Sequence, residues 1–210
     1  AYRETAYTKE LYRQLIRYSE ESVSVTDFFS FMMNDLFKKS GLLLVDSGDK
    51  SFRKVQSEFF IELVRNQESI NTAVKEQQSH IMNKGYSRAI DMNDKNANLF
   101  VYVDKERILL EKEQETGHFK GKSNQMVWTE SELLKMAECE PEMLSNNVVT
   151  RPMMQEHLFP VLSFISGPGE IAYWAELKLA FEEMGMKMPV LVPRMNMTII
   201  EPAVDKELDE

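Results

Sequence analysis

Residues 160–175 read PVLSFISGPGEIAYWA. The apolar run Val161–Ile165 has strand length and is bounded by Pro160 on one side and Gly167-Pro168-Gly169 on the other. The spacing after the turn predicts a helix to about Met184, with Ile171, Trp174, Leu177, Phe181 and the aliphatic stem of Lys178 on its buried face. Gly185 is its natural left-handed stop. Pro189–Pro193 is then a second strand-like run, and Met195–Ile200 a third. Strand, tight turn, helix, strand is the βαβ pattern, which implies an α/β fold with a mostly parallel sheet and flanking helices.

Upstream, Leu11, Leu15 and Tyr18 recur at helical spacing. A second helix is predicted from Thr26 as N-cap, with Asp27 at its positive end and Gly41 as its stop. Gly41–Val45 reads as a further strand of the parallel sheet, ending in the turn-rich Asp46–Asp49. A long helical pattern covers Phe52 to Lys84 and closes at Gly85. The period then changes from 3.6 to 2: Leu99, Val101 and Val103 alternate with Phe100 and Tyr102, and Arg107–Lys112 and His118–Lys120 return. This predicts a small antiparallel meander inserted into the α/β core. Thr129-Glu130-Ser131-Glu132 is a capping-box sequence, with Trp128 and Leu133 placed for a hydrophobic staple. The predicted organisation is a helical and α/β part of the core over 1–90, the β insertion over 91–128 and the α/β core with the GPGE turn over 129–201. The first turns of a further helix follow over 202–210.

The 210 residues are 43% hydrophobic and 28% charged, a globular composition. With 34 acidic against 25 basic residues, the net charge is −9. No Lys/Arg run exceeds a pair, which argues against nucleic acid as a partner. No apolar run is long enough for a membrane span, and the polar first residues do not resemble a secretory signal. A lone cysteine, Cys139, allows no internal disulfide and fits a cytoplasmic location. Flanked by Glu138 and Glu140, it is a poor candidate for a thiolate nucleophile. His80, His118 and His157 are too scattered for zinc, so no metal site is expected.

In a parallel sheet, ligands bind outside the carboxyl ends of the strands. Asp46–Asp49 and Ser166–Glu170 occupy that position. At the second, glycines permit close approach of a ligand and a helix N-terminus offers free amides, while Glu170 can either satisfy those amides or bind an ammonium or hydroxyl. Arg151 and Gln155, four apart on one helix face, suit a carboxylate or phosphate; so does Arg194 at the next strand end. Equally, Arg151 could form a salt bridge with one of the many acids, and the GPGE segment could be a plain βα turn.

The run Asn147-Val148-Val149-Thr150-Arg151-Pro152, then Gln155-Glu156, then Phe164 to Ile171 with Tyr173-Trp174, resembles the bacillithiol biosynthesis cysteine-adding enzyme family, BshC. Lys187-Met188-Pro189 and Val192-Pro193-Arg194 extend the likeness, and milder similarity reaches back to Val25. The resemblance implies the middle portion of a longer protein with a Rossmann-like core and, in the parent, a coiled coil. It implies a ligase that adds cysteine to glucosaminyl malate, with those two small molecules as partners. It also implies substrate binding by Asn147, Arg151, Gln155, Gly167, Pro168, Gly169, Glu170, Tyr173, Trp174 and Arg194, Trp174 equally suiting a core role. No cofactor is expected within these residues, whereas the resemblance leaves room for a nucleotide (ATP or ADP) in the parent and leaves the activation of the cysteine carboxylate open. The 210 residues alone are expected to be inactive and to self-associate, with a homodimer among the forms. The competing class is a non-catalytic scaffold or interaction module of a larger protein, which the acidic surface and the lack of a complete catalytic set within 210 residues favour for the isolated chain.

Overall fold

The computed structural model describes residues 4–122 and 126–208. The chain divides into two compact units, with the boundary at Phe52/Arg53. The 90/91 boundary read from the sequence marks a change of secondary structure inside the second unit.

The first unit holds α1 (Thr8–Glu21) and α2 (Val25–Phe37). The cap of α2 is Ser24 rather than Thr26: the Ser24 hydroxyl accepts from the Asp27 amide at 3.1 Å and donates to the Asp27 carboxylate at 2.9 Å. Gly41 lies beyond the helix end, at φ 74°. Gly41–Val45 is not a strand. Leu43 is 88% exposed and the segment has no regular structure among the described residues. An apolar run becomes a strand only where a neighbouring strand takes up its amides and carbonyls.

In the second unit the pattern predicted as one long helix is three: α3 (Lys50–Lys54, which begins before the boundary), α4 (Ser57–Arg65) and α5 (Gln67–Asn83). The last break falls at Asn66, whose side-chain amide bonds back to the Glu62 carbonyl at 2.9 Å, a local alternative to helix continuation. Gly85, at φ 89°, closes α5 as predicted.

The main sheet has five strands in the order β4-β3-β2-β1-β5: β1 (Asn96–Val103), β2 (Glu106–Lys112), β3 (Phe119–Gly121), β4 (Val127–Trp128) and β5 (Leu144–Asn146). Every pairing in it is antiparallel. The meander is therefore present, but the expectation of a mostly parallel sheet is corrected, because the meander is itself the larger sheet. A two-residue turn joins β1 to β2, with Asp104 and Lys105 both at positive φ (50° and 69°), the twist that tight hairpins favour. After the meander, α6 (Glu130–Cys139) starts on the predicted capping box: the Thr129 hydroxyl takes the Glu132 amide at 3.2 Å, and the Glu132 carboxylate takes the Thr129 amide at 2.7 Å.

Among the described residues, parallel pairing is confined to β6 (Ser163–Ser166) and β7 (Val190–Pro193), which run in register from Ser163↔Val190 to Ser166↔Pro193. Between them the single predicted helix is α8 (Pro168–Ala175) and α9 (Lys178–Glu183), broken around Glu176. Trp174, Leu177 and Phe181 are fully buried, as the spacing predicts, but Lys178 is exposed and pairs with Glu182. Met195–Ile200 forms no strand, and the tail carries α10 (Pro202–Leu208); residues 209 and 210 of the predicted tail helix lie outside the described residues. The core of this unit gathers Phe59, Phe60, Leu63, Ile70 and Val74 from α4 and α5 with Leu99 and Leu110 from the sheet and Trp174 and Phe181 from α8 and α9. No helix among the described residues is long and apolar enough to cross a membrane.

Candidate functional site

The β6–α8 turn lies at the carboxyl end of the parallel pair. Gly167 caps α8, Pro168 occupies the first helical turn, and Glu170 folds back so that its Oε2 accepts from the Gly167 amide at 2.9 Å. The same oxygen accepts from Arg194 Nη2 at 3.0 Å, just past the end of β7. These two strand ends are brought together because Arg194 also donates its backbone amide to the Ser166 carbonyl at 2.8 Å. A Cβ at Gly167 would lie 3.0 Å from Arg194 Nη2, so a side chain there would push the guanidinium back by a few tenths of an ångström. Gly169 has open space around its α-carbon.

The Gly167 amide, and after it Arg194 and Arg151, hold the Glu170 carboxyl below the usual glutamate range against the opposing effect of burial. Its Oε1 accepts no hydrogen bond from the described residues. The turn is thus a carboxylate presented with one oxygen anchored and one oxygen available. The anion position at the helix start is taken by Glu170 itself, and a phosphate there would face a carboxylate. The residues do not fit the nucleotide for which the resemblance leaves room in the parent, and none is placed on this turn.

The predicted Arg151 stands near this turn. It belongs to α7 (Thr150–Leu158), is exposed, and donates from Nη2 to the Tyr173 hydroxyl of α8 at 2.5 Å. Neither Arg151 nor Arg107 of β2 is within salt-bridge distance of a carboxylate among the described residues. Asn147 serves α7 directly: its Oδ1 accepts from the Val149 and Thr150 amides at 2.8 and 3.1 Å, and its Nδ2 donates to Asn98 Oδ1 at 3.0 Å. Gln155 is half-buried one turn along α7. Trp174 is fully buried, stacked on Phe164 at 4.7 Å and Phe181 at 5.8 Å between centroids. That position is out of a substrate's reach and supports α8 from below. Cys139 is exposed on the last turn of α6.

Three residues that the sequence reading did not single out shape the region. Asn98 sits at φ 59° in β1 at an irregularity of the β1–β2 register, is fully buried, and accepts at its carbonyl from Thr150 Oγ1 at 2.8 Å; it fixes the start of α7 to the sheet. Glu176, 1% exposed, accepts from Gln78 Nε2 at 2.7 Å, the Ile90 amide at 3.1 Å and the Ala89 amide, tying α5 and the approach to β1 to the end of α8. Arg107 stacks over the Phe100 ring at 3.8 Å and donates from Nε to Ser145 Oγ at 2.9 Å and from Nη2 to the Asn146 carbonyl at 2.5 Å. Arg107 and Arg151 both line a cleft of about 450 Å³. An asparagine in an apolar strand was the available signal for Asn98. Nothing in the local sequence marks Arg107 or Glu176, because their hydrogen-bond partners lie at least 38 residues away.

Residues 1–195 match the family model described as bacillithiol biosynthesis BshC, N-terminal Rossmann-like domain. The stretch expected from the sequence to be a middle portion thus falls under the model of the family's N-terminal domain. Curated relatives named "Putative cysteine ligase BshC" include one from Bacillus licheniformis, 45% identical over 210 residues, covering all of this chain and 39% of the relative. Another, from Lysinibacillus sphaericus, is 44% identical over 207 residues, covering 99% of this chain and 38% of the relative. A third, from Geobacillus kaustophilus, is 43% identical over 209 residues, covering 100% and 39%. The chain spans about 39% of the length of the curated relatives it matches.

Proposed function

We propose a function from one premise: the chain belongs to the bacillithiol biosynthesis BshC family. In our reading the parent protein is a ligase that joins the carboxyl group of cysteine to the amine of glucosaminyl malate, and this chain carries part of its substrate site. The observation that supports this best is the Glu170 carboxylate at the end of the parallel pair, anchored by Gly167 and Arg194 through one oxygen and open at the other.

Amide formation needs the sugar amine brought to the cysteine carboxyl carbon; the new C–N bond forms as the activated oxygen leaves and the amine loses a proton. A carboxyl held below its ordinary range is a weak base at neutral pH. The role that fits Glu170 is therefore orientation: Oε1 accepts a hydrogen bond from the amine and aims its lone pair, a gain from proximity rather than from proton abstraction. Arg151, steadied by the Tyr173 hydroxyl, offers its remaining N–H groups to a carboxylate of the malyl half. Gly167, Pro168 and Gly169 shape the turn, Asn147 sets the start of the helix bearing Arg151 and Gln155, and Trp174 fills the layer beneath. The nucleotide that would activate cysteine belongs, in this proposal, to the longer parent.

The test is turnover by the full-length protein with cysteine, glucosaminyl malate and ATP, the product read by mass. Ligation is expected from the parent, with Glu170→Gln reducing kcat/KM by at least tenfold, because an amide loses the charge and, with its oxygen kept on the two anchoring donors, turns its NH2 group toward the substrate amine. No ligated product from the full-length protein would overturn the reading.

A further inference from the structure

The cleft shared by Arg107 and Arg151 lies against β1, β2 and β5 at the start of α7. We propose that it seats a dicarboxylate, one carboxylate on each guanidinium; under the ligase reading, on which only the natural ligand's identity rests, this is the malyl half of the substrate. Arg107 would then be a substrate-binding residue contributed by the antiparallel sheet.

Four observations carry the inference. First, the two guanidiniums come from different elements and are both held from behind. Arg107 lies flat on Phe100 with Nε and Nη2 engaged by Ser145 and Asn146, and Arg151 is engaged by Tyr173. Held forks keep most of their affinity for a planar carboxylate because little freedom is lost on binding. Second, neither has a carboxylate partner among the described residues of a strongly acidic chain, so an anion from outside is their natural complement. Third, the wall beside the arginines is polar: Asn96, Asn146 and Asn147 line the cleft, which suits a ligand carrying hydroxyl groups as well as carboxylates. Fourth, Asp91 is the one acid among the described residues that line the cleft, which disfavours a ligand that is anionic throughout and favours anionic groups at one end with hydroxyl or ammonium at the other. A volume near 450 Å³ is within the range of small-molecule sites.

The experiment is calorimetric titration of the full-length protein with malate, with its monomethyl ester and with inorganic phosphate, repeated on Arg107→Lys and Arg107→Gln, alongside the ligation assay on the same samples. Malate is expected to bind, the monoester at least tenfold more weakly, phosphate more weakly than malate, and both variants to lose at least tenfold in malate affinity with cysteine affinity unchanged. Lysine retains the charge but not the fork, so its loss separates recognition from bulk electrostatics. Absent malate binding, equal affinity for the monoester, tighter binding of phosphate, or unchanged malate affinity in Arg107→Lys would each overturn the proposal. If the variants fail to fold, the malate-to-monoester ratio on the wild-type protein decides. Ligation by the parent with malate affinity indifferent to Arg107 would leave the ligase reading standing and remove the dicarboxylate cleft; malate binding without ligation would do the reverse.

Discussion

Replacing Glu176 separates a packing explanation of the fold from an electrostatic one. Its carboxylate is 1% exposed and receives three hydrogen bonds, from Gln78 Nε2, the Ile90 amide and the Ala89 amide, each spanning more than 80 residues of sequence. Glu176→Gln keeps the volume but exchanges one acceptor oxygen for an NH2 group. At least one buried donor then faces another donor, which costs about 1–3 kcal/mol, and the remaining bonds lose their charge assistance. We expect a net loss of about 2–3 kcal/mol. Glu176→Ala orphans all three donors and should cost more, roughly 3–5 kcal/mol once water takes up part of the demand. Urea unfolding of the 210-residue chain, followed by circular dichroism, is the assay. With a slope of about 2 kcal/mol/M, the glutamine variant should lower the midpoint by about 1 M. Amide hydrogen exchange at Ala89 and Ile90 should accelerate in both variants. An unchanged midpoint for Glu176→Gln, or a glutamine variant less stable than the alanine one, would refute the claim that these hydrogen bonds, rather than the side chain's bulk, join the two regions.

Thr129→Ala removes one half of the capping box and should cost on the order of 1 kcal/mol, read as a lower denaturant midpoint with an unchanged slope. Glu170 contributes to stability with a definite sign. Its folded pKa is depressed, chiefly by the Gly167 amide, so its contribution is fully present above the ordinary glutamate value and is lost as pH falls through the lower folded value. The stability difference between wild type and Glu170→Gln should therefore shrink as pH drops below about 4.3, and a difference independent of pH in acid unfolding would contradict the assignment. In the full-length protein, Arg151→Lys should raise KM for glucosaminyl malate at least tenfold with the fold intact, because an ammonium cannot reproduce the fork; an unchanged KM would remove Arg151 from the site.

How far the sequence was readable depended on how local the determinants were. The capping box at Thr129, the closing glycines at 85 and 185, the period-2 strands of the meander and the β6–β7 pair rest on neighbouring residues, and all were legible. Helix continuity was not, because breaks such as Asn66 turn on one side chain bonding back to the chain. The balance of parallel and antiparallel pairing was misjudged at Gly41–Val45 and Met195–Ile200, where β-branched and leucine-rich runs have the composition of strands but no partner among the described residues. At the candidate site the two strand ends carry Glu170 and Arg194 side by side, but their ion pair and the Arg151–Tyr173 hydrogen bond were not foreseen, because each joins residues more than 20 positions apart. Asn147 and Trp174 have structural partners that a motif cannot reveal. Arg107 escaped notice because its contacts run across the sheet to Ser145 and Asn146.

The most direct test of the account is a crystal structure of the full-length protein with glucosaminyl malate bound. It should place the sugar amine within hydrogen-bond distance of Glu170 Oε1 and the malyl carboxylates on Arg151 and Arg107. Substrate bound away from the β6–α8 turn, with Glu170 still engaged only by Gly167 and Arg194, would contradict it.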